Sequence, residues 1–421
     1  MRNAMPNFSG QKVLTPGRAA RRALLACLLL ATGLGGLGAQ PPGGAQPAQS
    51  PPVRLDLSDE TAQGVTVAAR DRALVAVGWT VAQGDREGVH LRVRRDLIWE
   101  PATHLGAEAG RQPRDLQLIF DAAGELHALW TALDGDDQRG LYHIRIDLPA
   151  LPVRPVPRQL TAAGDPSYGD AEFPSAAVLG EDLLIVWQDN QPAGFSILSA
   201  RLTAGGEFLP LGSVSGDSLA GLDPQVLSVE PTPRVAWYEI DESGGQVRVE
   251  EWDAADQRWR PSGYERQLAG LPRDQPLLLR DSRLGVVACW QENRETGSAI
   301  GLDLPRLVGE EEAVEADRGE ALLSEPPGDH GQPDLAGTLP GRLTLAWRVF
   351  AEGRQLIRLA SLFATGRPPQ VITLETGEQR FAAAPAHVTE GNWSAVAWTD
   401  DFRDGGAGGV YFSEIDWPAA D

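Results

Sequence analysis

Short apolar segments that end on a tryptophan recur along the chain at nearly even intervals. Each is typical of a buried β-strand, because mostly aliphatic residues precede the tryptophan and turn-forming residues flank the segment. The terminal residues are Trp79, Trp130, Trp187, Trp237, Trp290, Trp347 and Trp398. Their spacings of 51, 57, 50, 53, 57 and 51 residues indicate one structural unit repeated seven times.

The residues around each tryptophan complete a unit of four short strands. A proline opens an earlier strand 13 or 14 residues before five of the tryptophans, at Pro174, Pro224, Pro276, Pro333 and Pro385. A polar loop and a further strand follow each tryptophan. Four-stranded repeats of this length are typical of β-propellers, in which neighbouring blades cover the apolar faces that one blade leaves exposed. We therefore predict an all-β, seven-bladed propeller over residues 53–421.

The two ends of the repeat region favour a closed arrangement. The last unit reaches only its third strand, at residues 408–416, and the segment VRLDLSD at 53–59 precedes the first unit without a partner. We expect residues 53–59 to form the outer strand of the last blade, which also pairs an otherwise open strand edge.

The N-terminal residues have the pattern of a targeting segment. Basic residues precede an uncharged apolar run that ends in small residues near Ala39, as in secretory signal peptides. We predict a signal peptide at 1–39, a Pro/Gly/Gln-rich linker at 40–52, and a mature protein that is periplasmic, displayed on the cell surface or secreted. The apolar run is too short for an integral membrane span. Sec or twin-arginine export, and lipidation at Cys27, stay open.

The charge of the chain excludes one class of partner. The formal net charge is −21, and cleavage after residue 39 would remove five cations and no anions, which takes it to about −26. Phosphate backbones repel so acidic a protein, so we expect no binding to nucleic acid. Cys289 would then be the single remaining cysteine, in an apolar strand where an inert thiol is expected.

Three of the tryptophan loops resemble those of the sialidase-type repeat propellers of secreted bacterial proteins, which carry a degenerate Asp-box (BNR-like) repeat. The matching segments are WQENRETG at 290–297, WQDNQPAG at 187–194 and WTDDFRDGG at 398–406. The turn that holds an Asp box in that superfamily is degenerate in every unit here. RLTAGGEF at 201–208, for example, has Thr203 where the aspartate belongs. The resemblance implies a propeller fold.

An active sialidase would need further residues that the resemblance names by role. These are three arginines for the substrate carboxylate, a tyrosine nucleophile paired with a glutamate, and an aspartate acid/base. Tyr264, Glu265 and Arg266 are the one place where a tyrosine, a carboxylate and an arginine are adjacent, in what we expect to be a loop between blades. They are the candidate catalytic residues of that alternative. The six histidines have no metal-ligand spacing along the sequence.

Acidic loops follow several of the tryptophans and form a candidate ligand-binding rim. Its candidate residues are Asp134, Asp136, Asp137, Asp189, Asp241, Glu292, Asp400, Asp401 and Asp404. Such carboxylates bind Ca²⁺ in some loops, but aspartate and glycine are also what turns require, and arginines in the same loops pair with acids. We expect a solvated, turn-forming rim and no cofactor, with Ca²⁺ as the alternative.

The repeated tryptophans also have two interpretations. A tryptophan at one strand position in every unit favours packing between blades over an aromatic ligand surface. Five others depart from this register and are expected at the surface: Trp99, Trp252, Trp259, Trp393 and Trp417.

Together these features predict a monomeric, non-catalytic scaffold that recognises a protein or a glycan. The first alternative is a sialidase-like glycoside hydrolase. The second is a structural envelope component, which would expose a large apolar patch. Propellers host many functions, so the fold does not decide among these.

Overall fold

Strands are the regular elements throughout the part of the chain that the structure, a computed structural model, describes. The described residues are 46–56, 62–81, 87–105, 111–135, 137–148, 156–161, 165, 167–216, 221–228, 232–241, 244–267, 277–281, 285–294, 297–303, 320–322, 329–339, 342–351, 353–363, 369–374, 382–400 and 409–418. The predicted signal peptide lies outside them. Among these residues no helix is long and apolar enough to cross a lipid bilayer.

The described strands form seven antiparallel sheets, numbered here in chain order. Sheet 1 contains β3 (Ala62–Ala69), β4 (Leu74–Val81), β5 (Gly88–Arg95), β6 (Ile98–Trp99) and β7 (Thr103–His104). Sheet 2 contains β8 (Arg111–Phe120), β9 (Leu126–Leu133), β10 (Arg139–Ile146) and β11 (Arg158–Gln159). Sheet 3 contains β12 (Asp170–Leu179), β13 (Asp182–Gln191), β14 (Gly194–Leu202) and β15 (Phe208–Ser213).

The remaining sheets repeat this order. Sheet 4 contains β16 (Gly221–Ser228), β17 (Arg234–Asp241), β18 (Gly244–Asp253) and β19 (Arg258–Gln267). Sheet 5 contains β20 (Leu277–Asp281), β21 (Gly285–Arg294), β22 (Gly297–Asp303) and β23 (Glu320–Leu322). Sheet 6 contains β24 (Asp329–Leu339), β25 (Arg342–Ala351), β26 (Arg354–Phe363) and β27 (Gln370–Thr373). Sheet 7 contains β28 (Ala382–Glu390), β29 (Trp393–Asp400) and β30 (Gly409–Asp416), with β1 (Ala48–Gln49) and β2 (Val53–Arg54).

The second strand of each sheet carries the repeated tryptophan and is buried on both faces. In β29 every residue is buried, and in β4 all but the first are. A strand covered on both faces has a continuous apolar sequence, whereas a half-exposed strand alternates. This burial explains why the tryptophan strands are the clearest signal in the sequence.

Each repeated tryptophan packs against the sheet that precedes its own. Trp130 of sheet 2 lies in a buried cluster with residues of sheet 1, and Trp187 of sheet 3 lies in a cluster with residues of sheet 2. The same relation holds for the next four, and Trp79 of sheet 1 packs with β29 and β30 of sheet 7. All seven side chains are at most 3% exposed. The tryptophans therefore fill interfaces between sheets.

Three of the tryptophans expected at the surface are buried as well. Trp259, Trp393 and Trp417 are at most 8% exposed, contrary to that expectation. Each indole N–H has a partner: Trp259 Nε1 donates to Ser199 Oγ at 2.8 Å, and Trp417 Nε1 donates to Ser394 Oγ at 2.7 Å. A buried indole that can reach a hydroxyl costs little, so these rings fill space near the outer strands.

The prolines before the tryptophans mark a bulge in the first strand of the sheet. Phe173, Asp223 and Gln332 directly precede three of these prolines and have φ values of 49°, 53° and 50°, in the left-handed region. The strand register shifts at the same places. A bulge re-aims the side chains beyond it, and non-glycine residues there store backbone strain.

The N-terminal segment pairs with the last sheet, as expected, but over different residues. Val53 and Arg54 pair with Phe412 and Tyr411, and the predicted strand at 53–59 is described only as far as residue 56. Pairing also begins earlier, at Ala48 opposite Asp416, inside the segment expected to be a linker. Ser50 explains the early start, because its hydroxyl accepts the Glu414 N–H at 2.9 Å and its carbonyl accepts from Ser413 Oγ at 2.8 Å.

Candidate functional site

The β9–β10 loop of sheet 2 contains the first group of predicted rim residues. Asp134 is buried at 9% exposure, and its Oδ1 accepts the Gln138 N–H at 3.2 Å. Asp137 is exposed and forms an ion pair with Arg111. Asp136 lies outside the described residues. Asp134 thus shapes the turn, which leaves Asp137 as the described carboxylate of this loop that faces solvent.

The same loop is fastened to the connection that leads into sheet 3. Gln138 Nε2 donates to the carbonyls of Tyr168 and Gly169 at 3.2 and 3.0 Å. The Gly169 N–H donates in turn to both carboxylate oxygens of Asp189, at 2.9 and 3.0 Å. Asp189 is fully buried, and burial raises its pKa despite these hydrogen bonds. The carboxylate of Asp189, a predicted rim residue, is therefore buried and engaged in holding the backbone at Gly169.

Three arginines lie at the end of sheet 2 that carries the β9–β10 loop, and we call them the arginine cluster: Arg111, Arg114 and Arg139. Arg139 is buried. Its N–H donates to Asp170 Oδ1 at 2.8 Å and its Nη1 donates to the Gln112 carbonyl at 3.1 Å. Burial lowers the pKa of Arg139, and the positive charge of Arg114 lowers it further.

Arg114 differs from the other two arginines. It lies on β8 just after the left-handed residue Gln112 and the proline that follows, and its side chain is exposed. Its guanidinium has no hydrogen-bond or ion-pair partner among the described residues, whereas the neighbouring Asp115 accepts from Thr131 Oγ1 at 2.9 Å. Arg114 is therefore an exposed cation without a partner among the described residues.

The structure describes the side chain of only one of the other predicted rim residues. Asp400 is buried at 2% exposure at the end of β29. Asp241 and Glu292 lie on β17 and β21, but their side chains, like residues Asp401 and Asp404, lie outside what the structure describes. Ligand binding by the rim stays a prediction.

The candidate catalytic segment lies in a strand and not in a loop. Tyr264, Glu265 and Arg266 belong to β19, the fourth strand of sheet 4, where Glu265 pairs with Arg248 and Arg266 with Val247. Pairing with β18 explains this difference from the expectation. Their side chains lie outside the described ones.

Three other tyrosines lack the electrostatics of a nucleophile. Burial raises the pKa of Tyr142, Tyr168 and Tyr238, and for Tyr168 the nearby carboxylates of Asp165 and Asp189 raise it further. A phenol that attacks carbon needs the opposite shift, toward the phenolate.

A second group of polar side chains lies at the other end of β9, around the β8–β9 turn. Oxygen or nitrogen atoms of Asp121, Glu125 and His127 lie within 4.8 Å of one another. His127 Nε2 is 3.2 Å from Asp121 Oδ2, and His127 Nδ1 is 2.9 Å from His143 Nε2. Burial lowers the pKa of both histidines, and with the charges of His127 and Arg158 it lowers that of His143 to about 3. Spacing between histidines does not reveal this group, because two of its ligand candidates are carboxylates of the β8–β9 turn and His143 joins only through the β9–β10 register.

Comparisons with known proteins bear on the fold. No protein-family model and no curated protein sequence matches the chain. Among solved structures, a polysaccharide lyase of family PL25, an ulvan lyase, is 10% identical over 84% of this chain and 92% of its own, with a TM-score of 0.51. A protein of unknown function from Dyadobacter fermentans is 12% identical over 88% and 99%, with a TM-score of 0.49. The Trypanosoma rangeli sialidase is 10% identical over 84% and 55%, with a TM-score of 0.43. The similarity to the ulvan lyase supports an all-β, propeller-like fold.

Proposed function

We propose that the protein is an exported, closed, seven-bladed β-propeller that acts as a non-catalytic scaffold for recognition of a protein or a glycan. Two observations support the closed ring. Every buried cluster in the described residues joins two consecutive sheets, including the last and the first, and the N-terminal strands complete the last sheet. The apolar segment with basic flank at 1–39 supports export.

The observation that carries the recognition role is the contrast between the arginine cluster and the carboxylates around it. Asp134, Asp170 and Asp189 accept backbone N–H groups, so they hold the loops in place. Arg114 projects from this fixed frame. A rigid frame with a guanidinium that has no partner among the described residues favours binding of a carboxylate, sulfate or acidic side chain, with little ordering cost on association.

The same contacts argue against the sialidase-like alternative. Carboxylates that are committed to backbone amides are poorly placed as a general acid or nucleophile, and the three tyrosines with shifted pKa values are all shifted upward. Tyr264 stays the candidate nucleophile of that alternative.

A glycan array with and without Ca²⁺, probed with the mature chain from residue 40 onward, tests the proposal. The matched variants are Arg114→Gln and Arg201→Gln, since Arg201 is also exposed but pairs with Asp182 at the opposite edge. We expect binding that only Arg114→Gln weakens, by about 10-fold or more. Loss of binding on Ca²⁺ removal would assign the rim carboxylates to the ion.

Two further outcomes are informative. Turnover of fluorogenic sialosides that Tyr264→Phe abolishes would replace the scaffold with a hydrolase. If no glycan binds, Arg114→Gln should release an acidic protein partner that co-purifies with the wild type from the envelope. Failure of that experiment as well would refute recognition at the arginine cluster.

A further inference from the structure

The β8–β9 turn of sheet 2 holds three metal-ligating side chains close together. Asp121 Oδ2 and His127 Nε2 are 3.2 Å apart, and a Glu125 carboxylate oxygen lies within 4.8 Å of both. Two ligands of a tetrahedral zinc ion, each about 2.0–2.2 Å from the metal, are separated by about 3.4 Å. The aspartate and the histidine already have that separation, and only the glutamate has to approach.

Backbone contacts fix the Asp121 carboxylate and the main chain of Glu125 in this arrangement. The Glu125 N–H donates to Asp121 Oδ1 at 2.8 Å, and Gly124, with φ of +84°, turns the chain so that its N–H donates to the Asp121 carbonyl at 3.0 Å. One oxygen of Asp121 is therefore held by the turn, and its other oxygen points at His127. Glu125 is partly exposed, at 35% of its side chain, and is able to change rotamer.

His143 supports His127 from the neighbouring strand. The two rings stack with centroids 5.1 Å apart, and His143 Nε2 lies 2.9 Å from His127 Nδ1. If Nε2 of His127 binds a metal, its Nδ1 carries the proton and donates to the neutral His143 ring. A histidine ligand that donates its second N–H to a buried acceptor is the usual arrangement around zinc.

We propose that Asp121, Glu125 and His127 bind one divalent transition-metal ion of the zinc class, with His143 orienting His127. A nitrogen ligand beside two carboxylates favours zinc over calcium, which takes oxygen ligands alone in larger number. The site lies at the end of β9 opposite the arginine cluster, so it does not depend on the proposed recognition function. Three protein ligands leave the fourth position to water or to a ligand group.

Arg145 tunes the proposed site. It forms an ion pair with Glu125, and its Nη1 also donates to the Ala204 carbonyl at 2.9 Å. The metal competes with this guanidinium for Glu125, so we expect micromolar rather than nanomolar affinity. Replacing Arg145 by glutamine should strengthen binding, which a merely adventitious surface site would not show.

Titration of the metal-free full chain with Zn²⁺ by calorimetry, and with Co²⁺ by visible absorption, tests the proposal. We expect one equivalent bound with a tetrahedral Co²⁺ spectrum. Glu125→Gln and His127→Gln should each weaken binding at least about 10-fold, and His143→Gln by about 10-fold with the stoichiometry retained. Glu181→Gln, at the corresponding turn of sheet 3, is the matched control and should change nothing.

Two results would overturn the proposal. One is no saturable binding of either metal, and the other is binding that Glu125→Gln leaves unchanged. Glu125 is partly exposed and its backbone contacts do not involve its side-chain oxygens, so this variant stays decisive even if His127→Gln fails to fold.

Discussion

Removal of the Glu414 carboxylate should open the junction between the first and last sheets. Glu414 on β30 makes a bidentate pair with Arg94 on β5, with Oε2 2.8 Å from Nη1 and Oε1 2.9 Å from Nη2. Trp393 Nε1 donates to the same carboxylate at 2.7 Å. Burial acts to raise the pKa of Glu414, but the hydrogen bonds and charge of Arg94, with Trp393 and Arg72, together lower it.

The expected loss follows from the burial of this pair. The Arg94 side chain is 4% exposed and that of Glu414 is 13% exposed. Breaking a buried pair on one side costs about 3–5 kcal/mol, because the remaining charge stays buried without its partner. We expect about 3 kcal/mol for Glu414→Ala, and about 2 kcal/mol for Glu414→Gln, whose amide oxygen still accepts one hydrogen bond.

Asp416 on the same strand provides a matched control. It pairs with Arg72 at 2.7 Å, also across the junction, but the two side chains are 51% and 49% exposed. Exposed pairs contribute at most about 1 kcal/mol, so Asp416→Ala should be nearly neutral.

Denaturant unfolding followed by tryptophan fluorescence measures these differences, with equal m-values as the condition for comparing free energies of unfolding. If the transition is not two-state, the unfolding rates of the variants are compared in place of free energies. Equal effects of Glu414→Ala and Asp416→Ala, or a loss below about 1 kcal/mol for Glu414→Ala, would refute the buried-pair reasoning. Because the folded pKa of Glu414 is lowered, its contribution is present above the unfolded value and is lost as the pH falls, so Glu414→Ala should also be less sensitive to acid.

Three further substitutions test other parts of the fold. The pKa of His143 is about 3 in the folded state and 6.5 in the unfolded state, so the unfolded state binds the proton more readily and the protein loses stability below pH 6.5. His143→Gln should reduce the loss of unfolding free energy between pH 7 and 5 by about 2 kcal/mol. Equal acid profiles of variant and wild type would contradict this. An added Cβ at Gly301 would collide with the Trp290 ring, so Gly301→Ala should lower the free energy of unfolding by about 1–3 kcal/mol, while Gly205→Ala, which has room, should not. Leu97 has φ of 68° and is 63% exposed, so Leu97→Gly should raise the melting temperature by relieving about 1 kcal/mol of left-handed strain, and a lower melting temperature would contradict that origin.

The tryptophan strands could be predicted because a strand that is buried on both faces has apolar residues at consecutive positions. A run such as that before Trp398 needs no knowledge of its neighbours to be assigned to a buried strand. The prolines were also informative, but the left-handed residues before them were not predictable. Phe173 and Gln332 belong to types that rarely adopt positive φ, and only the register with the adjacent strand imposes it.

The candidate sites were harder to predict, because they depend on pairing between strands. The segment around Tyr264 contains proline and glycine and lacks alternation, so it resembles a loop, yet β18 pairs with it on both sides of a register shift at residues 262–264. His127 and His143 meet only because β9 and β10 pair with His143 opposite Leu129, and Asp121 joins them through a turn. Two-residue errors in such a register would separate these groups completely.

Pairing of the N-terminal strands with the last sheet has a consequence for the time course of synthesis. The bonded residues Ser50 and Glu414 are 364 positions apart. At about 5–20 residues per second, a ribosome needs roughly 20–70 s to make β30 after it has made residues 48–54. During that interval residues 48–54 wait unpaired, and the hydrophobic face of sheet 1 that finally meets Trp393 is uncovered. Pairing of residues 48–54 with β30 therefore cannot precede the synthesis of β30, and any factor that protects the early segment from other strand edges acts in this window.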